Sequence, residues 1–525
     1  MRINKKNLFA ILASGLINLV DNDSLAEEID TSYIDGIEVA VLNQRSTFDY
    51  FVRDGNFEKN QGSSSEVDNN DVIEVYDKGY KKAKTLLDKL YDPDSNIQRE
   101  FVKGAEEENS GHQFITHYNR GWAYTQGITL SYLTRNNDKR AHKIAERTYD
   151  TAIPVVFDGE EFFGGWKFSE NVLGDNWSDS RLITGSNARR LLGFGEYIVS
   201  PLFDEIPEEK QEEFEKFYSR ALDGLLKSQR EIKTEDGLEY GLVNAGWSIE
   251  EISLENMDEL NSTLSDYGYR NGRIKKLEHA VTEHSGATLS LLNFSIENSD
   301  RLGLNKENLI KRRDGIKDSL FEKLYYEKEG CFSTGTKMDS SGNEVQSEHR
   351  AVDSIWFPLE GFTSDQMDKI ARALDYNIKK FVKDIDYHEK HYHGAHYFLN
   401  SMCDPPLPRS DLFESAYNLE AGWILAQGLN EFSDVYPTHP SSDYFRETAQ
   451  KLRKGMQDFI EYNGFLCSSQ DIPEWFAKRD SSTSALSYLN VADYYKKKSK
   501  LELAGFSSDK DEGIAPLDNE GRKGL

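Results

Sequence analysis

The sequence predicts an all-α fold, an (α/α)6 toroid of six helical hairpins with long loops and small β-hairpins on one face. Three observations lead there. Six apolar helix-like segments begin near Trp122, Thr184, Thr282, Arg350, Glu414 and Ser481, at steps of 62 to 98 residues. Each follows a polar amphipathic segment, near 77–92, 139–153, 207–229, 305–326, 366–382 and 443–462. The connections alternate in length, and six pairs at such a period suggest a closed ring. An open α-solenoid shares the hairpin repeat but has shorter repeats and tighter loops.

The polar segments read as outer helices. In the fourth, Ile316, Leu320 and Leu324 recur every four residues among Lys and Asp, which makes one apolar stripe on a solvated helix. The apolar segments read as inner helices. Ala287–Phe294 and Trp423–Ala426 are apolar nearly all round, as a helix covered on both sides must be. Glycines punctuate this set at 127, 193, 286, 361, 422 and 428. A glycine inside a helix costs about 1 kcal/mol relative to alanine. Repeated tolerance of that cost suggests helices pressed close together.

Inner-to-outer connections are short, such as Thr134–Asp138. Outer-to-inner connections are long, at 154–183, 230–281, 327–349, 383–413 and 463–480. The long ones therefore share the face where inner helices start. Two of them carry strand-like runs bounded by glycine, Gly237–Val243 and Gly330–Gly335. Long loops with their own content are where function concentrates.

The chain has 525 residues, enough for one such domain with extensions. Residues 1–26 read as a signal peptide. Met1–Lys6 is basic, Leu8–Val20 is an apolar run too short to span a bilayer, and Ser24 and Ala26 are small residues before a cleavage point at Glu27. The localisation this implies is secreted or periplasmic. The alternative is an amphipathic starter helix on a cytoplasmic protein. Residues 27–76 form a polar extension whose stretch Asn56–Asp71 reads as linker. The toroid occupies 77–499, and 500–525 is a charged tail.

The net charge is −28, from 63 basic and 91 acidic residues. That excludes a nucleic-acid partner, which demands clustered Lys and Arg, and disfavours an anionic membrane surface. No stretch beyond the N-terminus is long and apolar enough to insert the mature chain in a membrane. Solubility explains the acidity; an acidic surface that holds Ca²⁺ is the lesser alternative. Cys331, Cys403 and Cys467 are too few and too scattered for a disulfide framework. Asp92–Asn96 starts like a calcium loop but has Ile97 where glycine is needed. There is no phosphate loop and no nucleophile elbow, so no cofactor and no resident metal are expected.

Four short stretches carry a resemblance: Trp122–Leu133, Thr282-Glu-His284, Ala351–Trp356 and Asp411–Asn418. In these and in the repeat, the chain resembles the six-hairpin glycosidase superfamily over about residues 77–495. The superfamily includes glucoamylases and unsaturated glucuronyl hydrolases, and also epimerases, lyases and phosphorylases. The resemblance implies a carbohydrate substrate, and most simply an exported glycoside hydrolase cleaving a poly- or oligosaccharide. The alternatives are a sugar epimerase or polysaccharide lyase using His or Tyr, and a non-catalytic carbohydrate-binding or host-interaction protein.

Glycoside hydrolysis needs two carboxyl groups across the sugar, one to protonate the leaving oxygen and one to attack or to activate water. Glu283 ranks first as the acid, since it opens the third inner helix, where glucoamylases carry theirs. Asp353 and then Glu414 rank as its partner, with Asp179 behind them. Glucoamylases place their base near the last hairpin, which points instead to Asp471 and Glu474. An acid in a first helical turn also serves the dipole and the free N–H groups. The candidate sugar platforms are Trp122, Tyr124, Trp166, Trp177, Trp247, Trp356 and Trp475, although tryptophan is equally a filler of helical cores. Tyr118, Arg120, Arg181, His284 and His393 are further candidates for substrate hydroxyls or charge. The run His388, His391, His393 and His396 matches no zinc spacing and reads as hydrogen-bonding loop histidines.

Overall fold

The computed structural model describes residues 69–99, 120–157, 160–171, 181–234, 237–251, 272–339, 341, 343–348, 350–359, 361–387, 390–396, 398–399, 419–465 and 481–489. The predicted signal peptide, most of the linker and the charged tail lie outside these residues. The outer helices are α1 (Asn69–Leu90), α3 (Arg140–Asp150), α5 (Glu208–Leu226), α7 (Lys306–Ser319), α8 (Ser364–Phe381) and α10 (Ser442–Asn463). The inner helices are α2 (Ala123–Arg135), α4 (Thr184–Ile198), α6 (Thr282–Glu297), α9 (Leu419–Val435) and α11 (482–489).

The outer helices form as the pattern predicts. In α8 the residues Met367, Ile370, Ala371, Leu374, Ile378 and Phe381 make one buried stripe. Its start is fixed by a capping box, in which Gln366 N donates to Thr363 Oγ1 (3.3 Å) and Thr363 N donates to Gln366 Oε1 (3.0 Å). The stripe of Ile316, Leu320 and Leu324 in the fourth outer segment is fully buried, and Leu320–Leu324 widens into a π turn.

The inner ring closes side by side. A Cβ on Gly193 in α4 would lie 2.3 Å from the Gly127 carbonyl of α2, so these helices meet backbone to backbone. Trp423 of α9 meets Tyr488 of α11 edge-on at 5.8 Å. Gln98 joins the last helix to the first: its Nε2 donates to Ser482 Oγ (3.0 Å), and its backbone N donates to Gln126 Oε1 of α2 (3.0 Å). Outer helices α1 and α10 also touch, which completes the second layer.

One element differs from expectation. The fourth inner position holds a short 3₁₀ turn, Val352–Ile355, in place of a long helix. The cause is Pro358, which has no N–H to donate and disfavours helical backbone at Phe357 before it.

The long connections carry β structure. β1 (Arg120–Trp122) pairs with β4 (Ser169–Asn171), and β2 (Ile153–Phe157) pairs with β3 (Glu160–Gly165). The largest insertion, between α5 and α6, explains the longest step of the repeat. It holds β6 (Gln229–Thr234), β7 (Gly237–Glu251) and β8 (Gly272–Ala280), which with β5 (Leu182–Ile183) make one antiparallel sheet centred on β7. β9 (Val382–Tyr387) and β10 (Lys390–Ala395) form a further hairpin. Among the described residues no helix is long and apolar enough to cross a membrane.

Candidate active site

Two carboxyl groups meet at the loop end of the ring because one segment holds both. β8 runs into Val281, which bridges Gly335. Thr282 N donates to Thr334 O (2.9 Å), and Thr282 Oγ1 donates to Ser333 O (2.6 Å). Those bonds fix the first turn of α6, and so Glu283, against residues 333–335. The same segment continues into Arg350 and the 3₁₀ turn bearing Asp353. Ser354 Oγ donates to Ala351 O (2.7 Å) and Asn377 Nδ2 donates to Val352 O (3.2 Å), which lock that turn. Gly286 lets the Trp356 carbonyl approach α6, since a Cβ there would lie 2.1 Å from that oxygen.

Glu283 and Asp353 are both buried, at 2% and 1% exposure. Burial pushes the Glu283 carboxyl well above its usual range, and the nearby Asp353 charge pushes it further; Arg189 pulls the other way but loses. A raised carboxyl pKa is the direction a general acid needs. A capping role for it is not realised: the start of α6 has no side-chain cap bond, and Glu283 Oε1 has no hydrogen-bond partner among the described residues.

His284 is also buried, and burial together with the charge of His279 lowers its pKa to about 3. With its pKa so lowered, His284 brings no charge to its 3.5 Å contact between Nε2 and Glu283 Oε2. Both side chains press on the first turn of α4. A Cβ on Gly185 would lie 2.4 Å from His284 Cδ2 and 3.2 Å from Glu283 Oε1.

Opposite, Tyr124 in the first turn of α2 donates to Glu420 Oε1 in the first turn of α9 (3.2 Å). Glu420 is buried. Sequence reasoning passed over Arg189, Glu420 and Gly185. Arg189 and Glu420 had a signal, being charged residues inside otherwise apolar inner segments; Gly185 had none beyond its place beside Thr184.

The other expected residues fall as follows. Trp356 is buried in the 3₁₀ turn region beside α6. Trp122 ends β1 and packs edge-on against Phe168 (4.8 Å), and Arg181 lies over the same Phe168 ring (5.9 Å). Trp166 is fully buried in the core, where Nε1 donates to Thr148 O (2.7 Å) and Arg190 lies over the ring (5.1 Å). Trp247 sits in β7 between Phe162 (5.4 Å) and Lys276 (5.8 Å). His393 lies in β10, on a hairpin packed against outer helix α10 and touching inner helix α9. Arg120 is placed by its backbone in β1. Glu414, Asp179, Tyr118, Trp177, Trp475, Asp471 and Glu474 lie outside the described residues, as do Cys403, Cys467 and His388. Cys331 is a buried free thiol that burial raises to about 11. Among the described residues no group of three or more His, Cys, Asp or Glu is placed to hold a metal ion.

The ring is an (α/α)6 toroid of helical hairpins, a fold shared with a solved glycosidase. Among solved structures, a point variant of a glycosidase is similar to this chain with TM-score 0.50 and 10% identity, covering 82% of this chain and 99% of the other. A sugar epimerase from a ruminal bacterium has TM-score 0.48 and 9% identity, covering 80% and 98%. A GH63 mannosylglycerate hydrolase from Thermus thermophilus has TM-score 0.44 and 10% identity, covering 80% and 99%. At such identities the likeness is one of fold. No protein-family description and no curated protein matches the chain in sequence.

Proposed function

We propose that the protein is an exported glycoside hydrolase, with Glu283 as general acid and Asp353 as the second carboxylate. The observation that carries this is a buried Glu283 whose carboxyl pKa is raised by burial and by the charge of Asp353 at the loop end of the ring. A carboxyl group whose surroundings raise its pKa, beside a second carboxyl group, is what the acid role requires. Glu283 gives its proton to the glycosidic oxygen as the C1–O bond breaks. Asp353 takes a proton from the water whose oxygen bonds to C1 in place of the leaving group. Tyr124 and Glu420, across the ring, are placed to bind hydroxyl groups. Export rests on the basic, apolar and small-residue order of residues 1–26.

An epimerase needs a base strong enough to take a proton from carbon. His284, with a pKa of about 3, is a poor one. The test is a screen of aryl glycosides and glycans with the wild type and with Glu283→Gln and Asp353→Asn. Hydrolysis by the wild type, lost in Glu283→Gln with binding kept, supports the proposal. An ultraviolet-absorbing unsaturated product, or full activity in Glu283→Gln, overturns it.

A further inference from the structure

The β9–β10 hairpin carries chemistry that the ring does not use. In its antiparallel register Asp384 faces His393 and Asp386 faces His391. Side chains two residues apart on a strand share a face, so these four lie together. Tyr392, between the two histidines, points the opposite way. It is buried, packs on Phe459 (5.1 Å) and takes a hydrogen bond from Asn463 Nδ2 (3.1 Å). Gly455 of α10 lies under the hairpin, where a Cβ would come within 1.9 Å of the His393 carbonyl. The strand is thus clamped to α10 by one face, and the Asp and His side chains remain on the other. His391 keeps 83% of its side-chain exposure, His393 34% and each aspartate 76%.

The pairing decides which ring nitrogen is available. His393 Nδ1 donates to Asp384 Oδ1 (2.8 Å), and His391 Nδ1 contacts Asp386 Oδ1. A carboxylate on Nδ1–H fixes the tautomer whose lone pair sits on Nε2, the arrangement found behind metal-ligating histidines. A rise of about 3.3 Å per residue sets the two histidines roughly 6.6 Å apart along the strand. Two imidazoles at that spacing can converge on one cation at metal–nitrogen distances of about 2.0–2.1 Å. Imidazole nitrogen suits Zn²⁺, Cu²⁺ and Ni²⁺ rather than Ca²⁺ or Mg²⁺.

We propose that His391 and His393 form a surface chelate for a divalent transition-metal cation, with Asp384 and Asp386 holding the imidazoles from behind. Two protein ligands, with water completing the shell, make an exchangeable site rather than a closed structural one. The two carboxylates offset the cation's charge, and the net charge of −28 draws cations to the surface.

The test is calorimetric titration of the full chain, free of any affinity tag, with Zn²⁺ alone. The expected result is a saturable binding event that disappears in His391→Ala and in His393→Ala. It weakens about 10–100-fold in Asp384→Asn and in Asp386→Asn. All four side chains are at least partly exposed, so unchanged circular dichroism will show that the variants fold. No saturable binding by the wild type, or binding that survives both histidine substitutions, overturns the proposal.

Discussion

Glu170→Gln should destabilise the protein strongly. Glu170 is buried in the middle of β4. Its Oε2 accepts from Arg147 Nε (2.9 Å) and Arg147 Nη2 (2.5 Å), and its Oε1 accepts from Arg190 Nη1. Arg190 has no exposure of its own and also donates from Nη2 to Thr151 Oγ1 (3.0 Å). Glutamine keeps one acceptor and turns its NH₂ group towards one of the two guanidinium groups. Removing one partner of a buried ion pair costs about 3–5 kcal/mol because the remaining charge is left in the interior. Against a total stability of about 5–15 kcal/mol, that is a large fraction. Urea unfolding followed by far-ultraviolet circular dichroism measures it, and adding Arg190→Met should restore part of the loss. Burial alone would raise the Glu170 pKa, but Arg190 and Arg147 outweigh it and hold the carboxyl below its usual range. Its stabilisation is therefore fully present above the unfolded-state pKa of about 4.3 and fades as pH falls through the lower folded value. The gap between wild type and variant should narrow in acid. A loss below about 0.5 kcal/mol near neutral pH would refute the argument.

The site itself yields two further expectations. Gly185→Ala places a methyl group 2.4 Å from His284 Cδ2, and ordinary contact then requires the ring, and Glu283 beside it, to move by about 1 Å. A displacement of that size at a reacting group costs about 100-fold in rate, so kcat/KM on any glycoside the wild type cleaves should fall that far while the circular dichroism spectrum is kept. Unchanged turnover would remove Gly185 from the site. Tyr124→Phe deletes the 3.2 Å bond to Glu420. Leaving a buried carboxylate short of one donor costs about 1–3 kcal/mol, which should appear in the unfolding free energy and, if Glu420 binds sugar, as a raised KM with kcat preserved.

How far the sequence reached depended on what each signal reports. Helix positions were readable because burial on one face leaves a stripe, and α8 and the fourth outer segment kept theirs. Thr184 and Thr282 mark true helix starts. The fourth inner segment misled because apolar character alone does not distinguish a helix from a buried turn; Pro358 was the deciding residue. Glu283 and Asp353 could be named because first-turn acids recur at the same point of the repeat, and in the fold the Asp353 charge acts on Glu283. Arg189 was hidden beside Arg190: nothing local says that one arginine reaches Glu283 while its neighbour serves Glu170. The tryptophans show the same limit. Trp166 satisfies its N–H on a backbone carbonyl inside the core, a use that composition cannot tell from a sugar platform. The paired faces of the β9–β10 hairpin depend on register, which the run of histidines did not reveal.

The central claim is that the native fold raises the Glu283 carboxyl pKa, through burial and the charge of Asp353. A carboxyl whose folded pKa is raised binds more protons than the unfolded chain, so it costs stability as pH rises from the unfolded value towards the folded one. Glu283→Gln removes that cost. The unfolding free energies of wild type and Glu283→Gln, measured at intervals from about pH 4 to pH 8, test this without knowledge of the substrate. The account predicts that the variant gains on the wild type as pH rises, by about 1.4 kcal/mol for each unit through which the folded pKa is raised. Two curves that run parallel across that range would contradict it.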